Sequence, residues 1–221
     1  MNTSLVSIIM PVKNGSNYLA EALNAIKSQN VSMEIIVVDD GSTDNTSQIA
    51  SDFGCVVLKH PISKGLVASK NTALKIAQGK YVMFHDHDDV MNQGALAQML
   101  RVLEENNEIF VVMAQLQDFF SAELIEEERK KIAIRVEPYF GLFSGAILMK
   151  KQLFDVVGLF DETIQAGDII ELKGKIDKHN LLLKRLAIVT SNRRIHNSNY
   201  GRTNRVREYK DYAKILRSKI M

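Results

Sequence analysis

Three aspartates and a histidine crowd into the turn that follows one short apolar segment. Residues 81–84 (Tyr-Val-Met-Phe) are typical of a buried strand, and Asp86, His87, Asp88 and Asp89 follow almost at once. Carboxylates this close repel one another, and burying them without partners costs several kcal/mol. A divalent cation removes that cost, because aspartate oxygens suit Mg²⁺ or Mn²⁺, which typically bridge one or two carboxylates to substrate phosphates. Taken alone, the same residues are equally typical of a solvated acidic turn that caps a helix beginning near residue 92.

Strands and helices alternate through the first half of the chain and must position this turn. The apolar patterning predicts strands over residues 5–10, 34–38, 55–59, 81–84 and 109–116, and helices over 18–29, 45–53, 64–79 and 93–105. Pro11 is expected to stop the first strand and Gly79 to cap the third helix. The alternation predicts an α/β fold with a mostly parallel central sheet and helices on both faces. Ligands of such sheets bind outside the carboxyl ends of the strands.

The second half is less regular. Residues 118–131 are acidic and then basic, which is typical of a solvated helix or connecting loop. Strands are predicted over 145–150 and 186–195, and helices over 152–157 and 168–178. Because no Pro-, Gly- or Ser-rich linker interrupts the chain, we expect one domain over residues 1–200, with halves at about 1–116 and 117–200.

The C-terminal segment, residues 201–221, is basic, with seven Lys and Arg residues against two acidic ones. Its apolar residues recur at helical spacing: Val206, Tyr209, Tyr212, Ala213, Leu216 and Ile220. Such a helix can lie on an anionic membrane surface, but more often it packs on its own domain or on a partner subunit, which leaves a homo-oligomer open.

Composition places the chain among ordinary globular proteins. Of its 221 residues, 46% are hydrophobic and 24% charged, and the net charge of +2 gives no electrostatic reason to expect a nucleic-acid partner. The single cysteine, Cys55, is expected to be a core thiol in a reducing compartment. No secretory signal or membrane span is predicted. We therefore expect a cytoplasmic protein, peripheral at the inner face of the membrane if residues 201–221 bind lipid.

Four motifs occur in order at predicted strand ends and helix starts: residues 7–14, 34–44, 64–71 and 86–89. Together they resemble the family 2 glycosyltransferases, and the resemblance covers roughly residues 5–200. It implies the A-type glycosyltransferase fold, Rossmann-like, with a nucleotide-binding half and an acceptor-binding half. It also implies a nucleotide-sugar donor, with a UDP-sugar favoured, a divalent Mn²⁺ or Mg²⁺ cofactor, and inversion at the anomeric carbon. The acceptor would be a hydroxyl of a carbohydrate, a lipid-linked sugar or a protein, in surface polysaccharide or glycoconjugate synthesis.

The resemblance assigns roles to five residues of the first half. Asp40 would hydrogen-bond the nucleotide base, commonly uracil, and Pro11 and Asn14 would line the same pocket. Lys70 would place a positive charge near the diphosphate. Asp86 would reach the ribose and the metal region.

The metal and the chemistry would depend on three further positions. By the resemblance, Asp88 would hold the metal that bridges the diphosphate, and His196 would complete its site. Asp168 would be the general base, with Asp161 and Glu171 as alternatives. Residue types alone are also compatible with Asp168 as a helix N-cap and His196 as a loop residue.

Two departures from the family pattern keep a second hypothesis open. Lys13 stands where the family usually carries an aromatic residue, and Gly167-Asp168 stands where it carries Glu-Asp. A catalytically degenerate relative that binds nucleotide sugar or a partner would also fit these changes. A nucleotidyltransferase or a dinucleotide-dependent dehydrogenase is disfavoured, because no Gly-rich phosphate loop follows the first strand.

Overall fold

Nine strands form one sheet in the part of the chain that the computed structural model describes, residues 6–199 and 205–218. The order across the sheet is β3-β2-β1-β4-β8-β6-β9-β5, and β7 pairs with β6 outside this path. The strands are β1 Val6–Val12, β2 Met33–Asp39, β3 Val56–Lys59, β4 Tyr81–Phe84, β5 Val90–Met91, β6 Ile109–Phe120, β7 Tyr139–Phe140, β8 Ile147–Lys150 and β9 Leu182–Ile195.

Six of these strands run in one direction. β3, β2, β1 and β4 pair in parallel, β8 is inserted antiparallel between β4 and β6, and β9 pairs in parallel with β6. β5 and β7 run antiparallel to their neighbours. The predicted α/β class with a mostly parallel sheet is confirmed.

Helices cover both faces of the sheet. They are α1 Leu19–Lys27, α2 Thr46–Asp52, α3 Leu66–Leu74, α4 Ala95–Glu105, α5 Glu126–Arg129, α6 Leu153–Val157, α7 Asp168–Lys178 and α8 Arg205–Ser218, and Ser144–Ala146 forms a 3₁₀ turn. On one face α1 and α4 bury stripes at helical spacing, among them Leu23 and Leu96. On the other face α3, α6, α7 and α8 bury residues such as Leu172 and Ile215.

Pro11 does not stop β1, contrary to the expectation. The strand continues to Val12, and Pro11 aligns with Val38 of β2. The ladder between β1 and β4 ends earlier, with the Ile9–Phe84 pair and the hydrogen bond from the His85 amide to the Ile9 carbonyl. The missing N–H of the proline therefore falls where β4 leaves the ladder, and no strand hydrogen bond is lost.

Two further local predictions are wrong. α3 ends at Leu74, so Gly79 is no helix cap. Instead it lies against β1, where an added Cβ would come within 2.5 Å of the Ser7 amide nitrogen. Cys55 is only half-buried, because β3 is the edge strand of the sheet and its Val56 is 44% exposed. Partial burial nevertheless raises the pKa of the Cys55 thiol to about 11.

Helix α8 packs on its own domain with a face different from the one predicted. Ile215 is buried, whereas Tyr209 and Leu216, both in the predicted apolar stripe, are 66% and 57% exposed. The side chains of Val206 and Ile220 lie outside the described residues. Within the described ranges, no helix combines the length and apolar character needed to cross a bilayer.

Candidate active site

The ends of three adjacent strands bring most of the predicted first-half residues together. β1 lies between β2 and β4. Pro11 and Asn14 lie at the end of β1, Asp40 directly follows β2, and Asp86 lies two residues beyond β4. Since parallel strands end at the same edge of the sheet, this is the edge where such folds bind ligands.

Asp40 is saturated with hydrogen bonds from the chain itself. One carboxylate oxygen lies 2.7 Å from His60 Nδ1 and accepts from the Lys64 amide at 2.8 Å. The other accepts from the Ser63 hydroxyl at 2.6 Å and the Gly65 amide at 2.9 Å. Burial alone would raise the pKa of Asp40, but these hydrogen bonds outweigh it and lower the pKa to about 2. The carboxylate therefore fixes the loop that leads into α3.

Asn14 connects the loops that follow β1 and β2. Its backbone amide donates to the Ser42 hydroxyl at 2.9 Å, and its side-chain oxygen accepts from the Thr43 amide at 2.9 Å. The backbone at Asn14 is left-handed, with φ of 53°, a conformation that asparagine tolerates better than most residues. Asn14 is exposed at the edge of the sheet, where a ligand can reach it.

Asp168 and Lys70 form a buried ion pair across the two halves of the chain. The lysine ammonium donates to the Asp168 carboxylate and, at 3.0 Å, to the Ser144 hydroxyl. It also lies 4.9 Å from the centre of the Phe84 ring. Lys70 is fully buried and Asp168 is 4% exposed. Lys70 thus contacts the predicted base directly, while its role at a diphosphate remains a prediction.

The N-cap reading of Asp168 is wrong. The N-cap of α7 is Gly167, which has a left-handed backbone, and Asp168 is the first helical residue. The alternative bases are held elsewhere. Asp161 accepts hydrogen bonds from the Thr163 amide at 2.9 Å and from Lys214 at 3.2 Å, and Glu171 pairs with Lys175 at 2.8 Å.

Asp86 lies among charged groups from three elements. Burial raises the pKa of Asp86, Lys70 opposes this, and the negative charges of Asp88 and Asp168 raise the pKa further. Among the described residues, no hydrogen bond involves the Asp86 carboxylate. Its negative charge is therefore poorly compensated in the protein alone.

Asp88 and His196 are also brought together, by the acidic turn and the end of β9. The His196 Nε2 atom lies 2.8 Å from an Asp88 carboxylate oxygen, and Asn199 donates to the same oxygen at 3.3 Å. Burial alone would raise the pKa of Asp88, but the hydrogen bond to His196 and the nearby charges of His87 and His196 together outweigh it and lower the pKa. Asp89 has a different role, since it accepts from the Arg194 amide at 2.9 Å.

The donor set fits a divalent cation that shares its ligands with a substrate. The described residues contain no group of three or more His, Cys, Asp or Glu side chains able to hold a metal ion by themselves. Asp88 and His196 provide one carboxylate and one imidazole, and Asp86 adds nearby negative charge. Mg²⁺ and Mn²⁺ sites in phosphate-transferring enzymes commonly use one or two protein ligands, with substrate phosphates as the others.

Two residues that hold the segments beside the candidate site were not identified from the sequence. Asn71 of α3 donates to the Phe160 carbonyl at 3.0 Å and accepts from the Phe160 amide at 3.1 Å, which fixes the segment ahead of Asp168. Arg194 donates to the Asp88 carbonyl at 2.9 Å and to Glu21 at 2.6 Å, and so holds the acidic turn. The only available signals were the position of Asn71 beside Lys70 and the Arg193-Arg194 pair just before His196.

Comparisons with known proteins identify the family of this chain. The family model described as Glycosyl transferase family 2 matches residues 7–158. A Rickettsia prowazekii protein named as an uncharacterized glycosyltransferase is 31% identical over 94% of this chain and 70% of its own length. Other Rickettsia relatives are covered over only 23% to 55% of their length. Asp168 and His196 lie beyond the residues that the family model matches.

Solved structures show the same fold. S. aureus TarS in complex with UDP superposes with a TM-score of 0.72 at 19% identity, covering 97% of this chain and 64% of that one. A mannosyltransferase from Pyrobaculum calidifontis, solved with GDP-Man and Mn²⁺, gives a TM-score of 0.75 at 18% identity over the same shares. The predicted A-type glycosyltransferase fold is confirmed, and the family match over most of the chain establishes that this protein belongs to glycosyltransferase family 2.

Proposed function

We propose that the protein is a metal-dependent inverting glycosyltransferase that moves a sugar from a nucleotide-diphosphate donor, a UDP-sugar in the favoured case, to a hydroxyl acceptor. One observation carries the proposal: Lys70 contacts Asp168 and lies 4.9 Å from the ring centre of Phe84, two residues before Asp86, so carboxylates from both halves of the chain lie at one place. Lys70 compensates Asp168 and His196 contacts Asp88, whereas the Asp86 carboxylate has no hydrogen-bond partner among the described residues, and a poorly compensated carboxylate is typical of a functional site.

In this proposal the nucleotide lies across the ends of β1 and β2. Pro11 and Asn14 line the base pocket, and Asp40 shapes its wall by holding residues 60–65. Because each Asp40 oxygen already has two donors from the chain, a base N–H would share an oxygen rather than fill a vacant one. TarS, which has a fold of the same kind, has been solved in complex with UDP.

Asp88 and His196 would hold the cation, Mn²⁺ or Mg²⁺, with Asp86 beside them. When bound, a divalent cation stabilises the charge that develops on a leaving nucleoside diphosphate. Arg194 keeps this turn in place, because its side chain donates to the Asp88 carbonyl and its backbone amide donates to the Asp89 carboxylate. The partial burial of Asp86 and Asp88 and the burial of His196 strengthen the electrostatic interactions there.

Asp168 would take the proton from the acceptor hydroxyl while that oxygen attacks the anomeric carbon, opposite the departing diphosphate. The lysine ammonium of Lys70 compensates the buried carboxylate until the acceptor arrives. The N-terminus of α7 adds a favourable dipole, since Asp168 is its first residue.

The test is the Asp168→Asn variant. The asparagine oxygen still accepts from Lys70, but the buried ammonium loses its counter-charge, so circular dichroism checks that the variant is folded before it is assayed. We expect transfer, measured as release of nucleoside diphosphate over a panel of donors and acceptors with Mn²⁺, to fall by a factor of about 10³ or more, while donor affinity measured by calorimetry stays within about threefold.

Asp161→Asn is the matched control, because Asp161 is an exposed carboxylate seven residues earlier that contacts Thr163 and Lys214 instead. Its transfer rate is expected to stay within a few fold of wild type. If the wild type binds a donor but never releases product with any acceptor, the protein is a catalytically degenerate relative that only binds nucleotide sugar. If Asp161→Asn abolishes transfer and Asp168→Asn does not, the base is Asp161.

A further inference from the structure

Helix α8 contacts the loop that leads to Asp168 through two side chains, Lys214 and Asp211. Lys214 donates to Asp161 at 3.2 Å and to the Thr163 hydroxyl. The Asp211 carboxylate accepts from the amides of Gln165 at 2.9 Å and Ala166 at 3.1 Å. These two amides immediately precede the turn into α7, so the loop is anchored just before the proposed base.

The turn itself is packed against the same helix. Gly167 has φ of 79°, a left-handed conformation that favours glycine. An added Cβ at Gly167 would come within 2.8 Å of the Tyr212 ring and 2.9 Å of Ile215 Cδ1. No residue with a side chain fits, which means that α8 sits directly on the backbone that sets the direction of the Asp168 side chain.

The opposite side of this loop is held by the nucleotide half. Gln165 lies against Gly65, whose amide donates to Asp40, and Asn71 holds the Phe160 backbone. The loop 161–167 is therefore clamped between α3 with its leading loop on one side and α8 on the other. The Lys70–Asp168 ion pair lies at the end of this clamped loop.

We infer that Asp211 is a positioning residue for the transfer reaction: by binding the amides of Gln165 and Ala166, α8 sets the Asp168 carboxylate at the acceptor site. The inference rests on the proposed function and gives the basic C-terminal helix a role inside its own domain. A displacement of a reacting group by about 1 Å can cost about a hundredfold in rate, so one anchoring carboxylate is enough to matter.

The test compares Asp211→Ala with Asp211→Asn in the full chain. Alanine removes the acceptor of both amides, whereas the asparagine oxygen can still accept from them. We expect kcat to fall by about tenfold or more in Asp211→Ala and to stay within about threefold of wild type in Asp211→Asn. Donor affinity and a binding stoichiometry of one are expected to be unchanged in both, which separates misplacement of the base from partial unfolding.

Asp177→Ala is the matched control, since Asp177 is an exposed aspartate on α7 that pairs only with Lys173 among the residues described. It is expected to behave as wild type. Hydrogen exchange gives a readout that needs no activity: the Gln165 and Ala166 amides should be protected in wild type and Asp177→Ala, and exposed in Asp211→Ala.

The outcomes separate the two proposals. A wild type without transfer activity contradicts the proposed function, and unprotected Gln165 and Ala166 amides contradict the anchoring whatever the activity. An active wild type whose kcat is unchanged in Asp211→Ala overturns the positioning role alone. A fall in donor stoichiometry that parallels the fall in kcat also overturns it, because Asp211 would then only stabilise the fold.

Discussion

The carboxylates that follow β2 and β4 lie in opposite surroundings, although only β1 separates the two strands. Asp40 has two hydrogen-bond donors on each oxygen, and its pKa is lowered to about 2. Asp86 has no such donors among the described residues, and its pKa is raised by burial and by Asp88 and Asp168. A carboxylate whose oxygens are all hydrogen-bonded by the chain stabilises the fold. A poorly compensated carboxylate costs stability, and such groups are typical of sites that bind a ligand.

The ion pair of Lys70 and Asp168 gives the largest expected effect on stability. Lys70→Met should destabilise the fold by about 3–5 kcal/mol, because it leaves a buried carboxylate without its partner. Urea unfolding measures the change. The double variant Lys70→Met/Asp168→Asn should recover much of the loss, since the uncompensated charge is then gone. Equal losses in the single and double variants would show that packing of the lysine stem, rather than charge, matters at this position.

Asp40 is expected to give the next largest effect, and one that concerns stability rather than metal binding. In Asp40→Asn, an amide N–H₂ group replaces one carboxylate oxygen and faces the two donors that this oxygen accepted from. The loss of these two hydrogen bonds should lower the unfolding free energy by about 2 kcal/mol. Asp52→Asn is the matched control, because Asp52 is exposed and contacts only Gln48 among the described residues. Its unfolding free energy should stay within about 0.5 kcal/mol of wild type. An Asp40→Asn protein as stable as the control would contradict the interpretation that the hydrogen bonds to Asp40 stabilise the fold.

The same carboxylate predicts a dependence on acid. Because the pKa of Asp40 is about 2 in the folded chain against an ordinary value of 3.8, the folded state binds the proton more weakly. The resulting stabilisation, about 2 kcal/mol, is fully present above pH 3.8 and is lost as the pH falls through 2. The difference in unfolding free energy between wild type and Asp40→Asn should therefore shrink between pH 5 and pH 2. If this difference in unfolding free energy does not change with pH, the effect of the substitution comes from altered packing and not from the charge of Asp40.

Sequence patterns predicted the sheet and the strand ends at which the candidate residues lie, because both follow from local periodicity and from motifs at strand ends. The pairing of Asp88 with His196 needed only the resemblance, and α7 begins at Asp168 as predicted. The contact between Lys70 and Asp168 was not predictable, because the two residues are 98 positions apart in the sequence and no local sequence pattern indicates that both are buried. Likewise, periodicity could not show which face of α8 is buried, because that depends on the Gly167 turn beneath it.

The central claim is that Asp86, Asp88 and His196 form a site for a cation shared with a nucleotide diphosphate, and metal-dependent binding of UDP tests it most directly. Calorimetric titration of UDP into the wild type should give an affinity at least about tenfold higher with Mn²⁺ than with EDTA. In Asp88→Asn, UDP affinity should be low in both conditions. An affinity for UDP that is the same with Mn²⁺ and with EDTA in the wild type would contradict the claim.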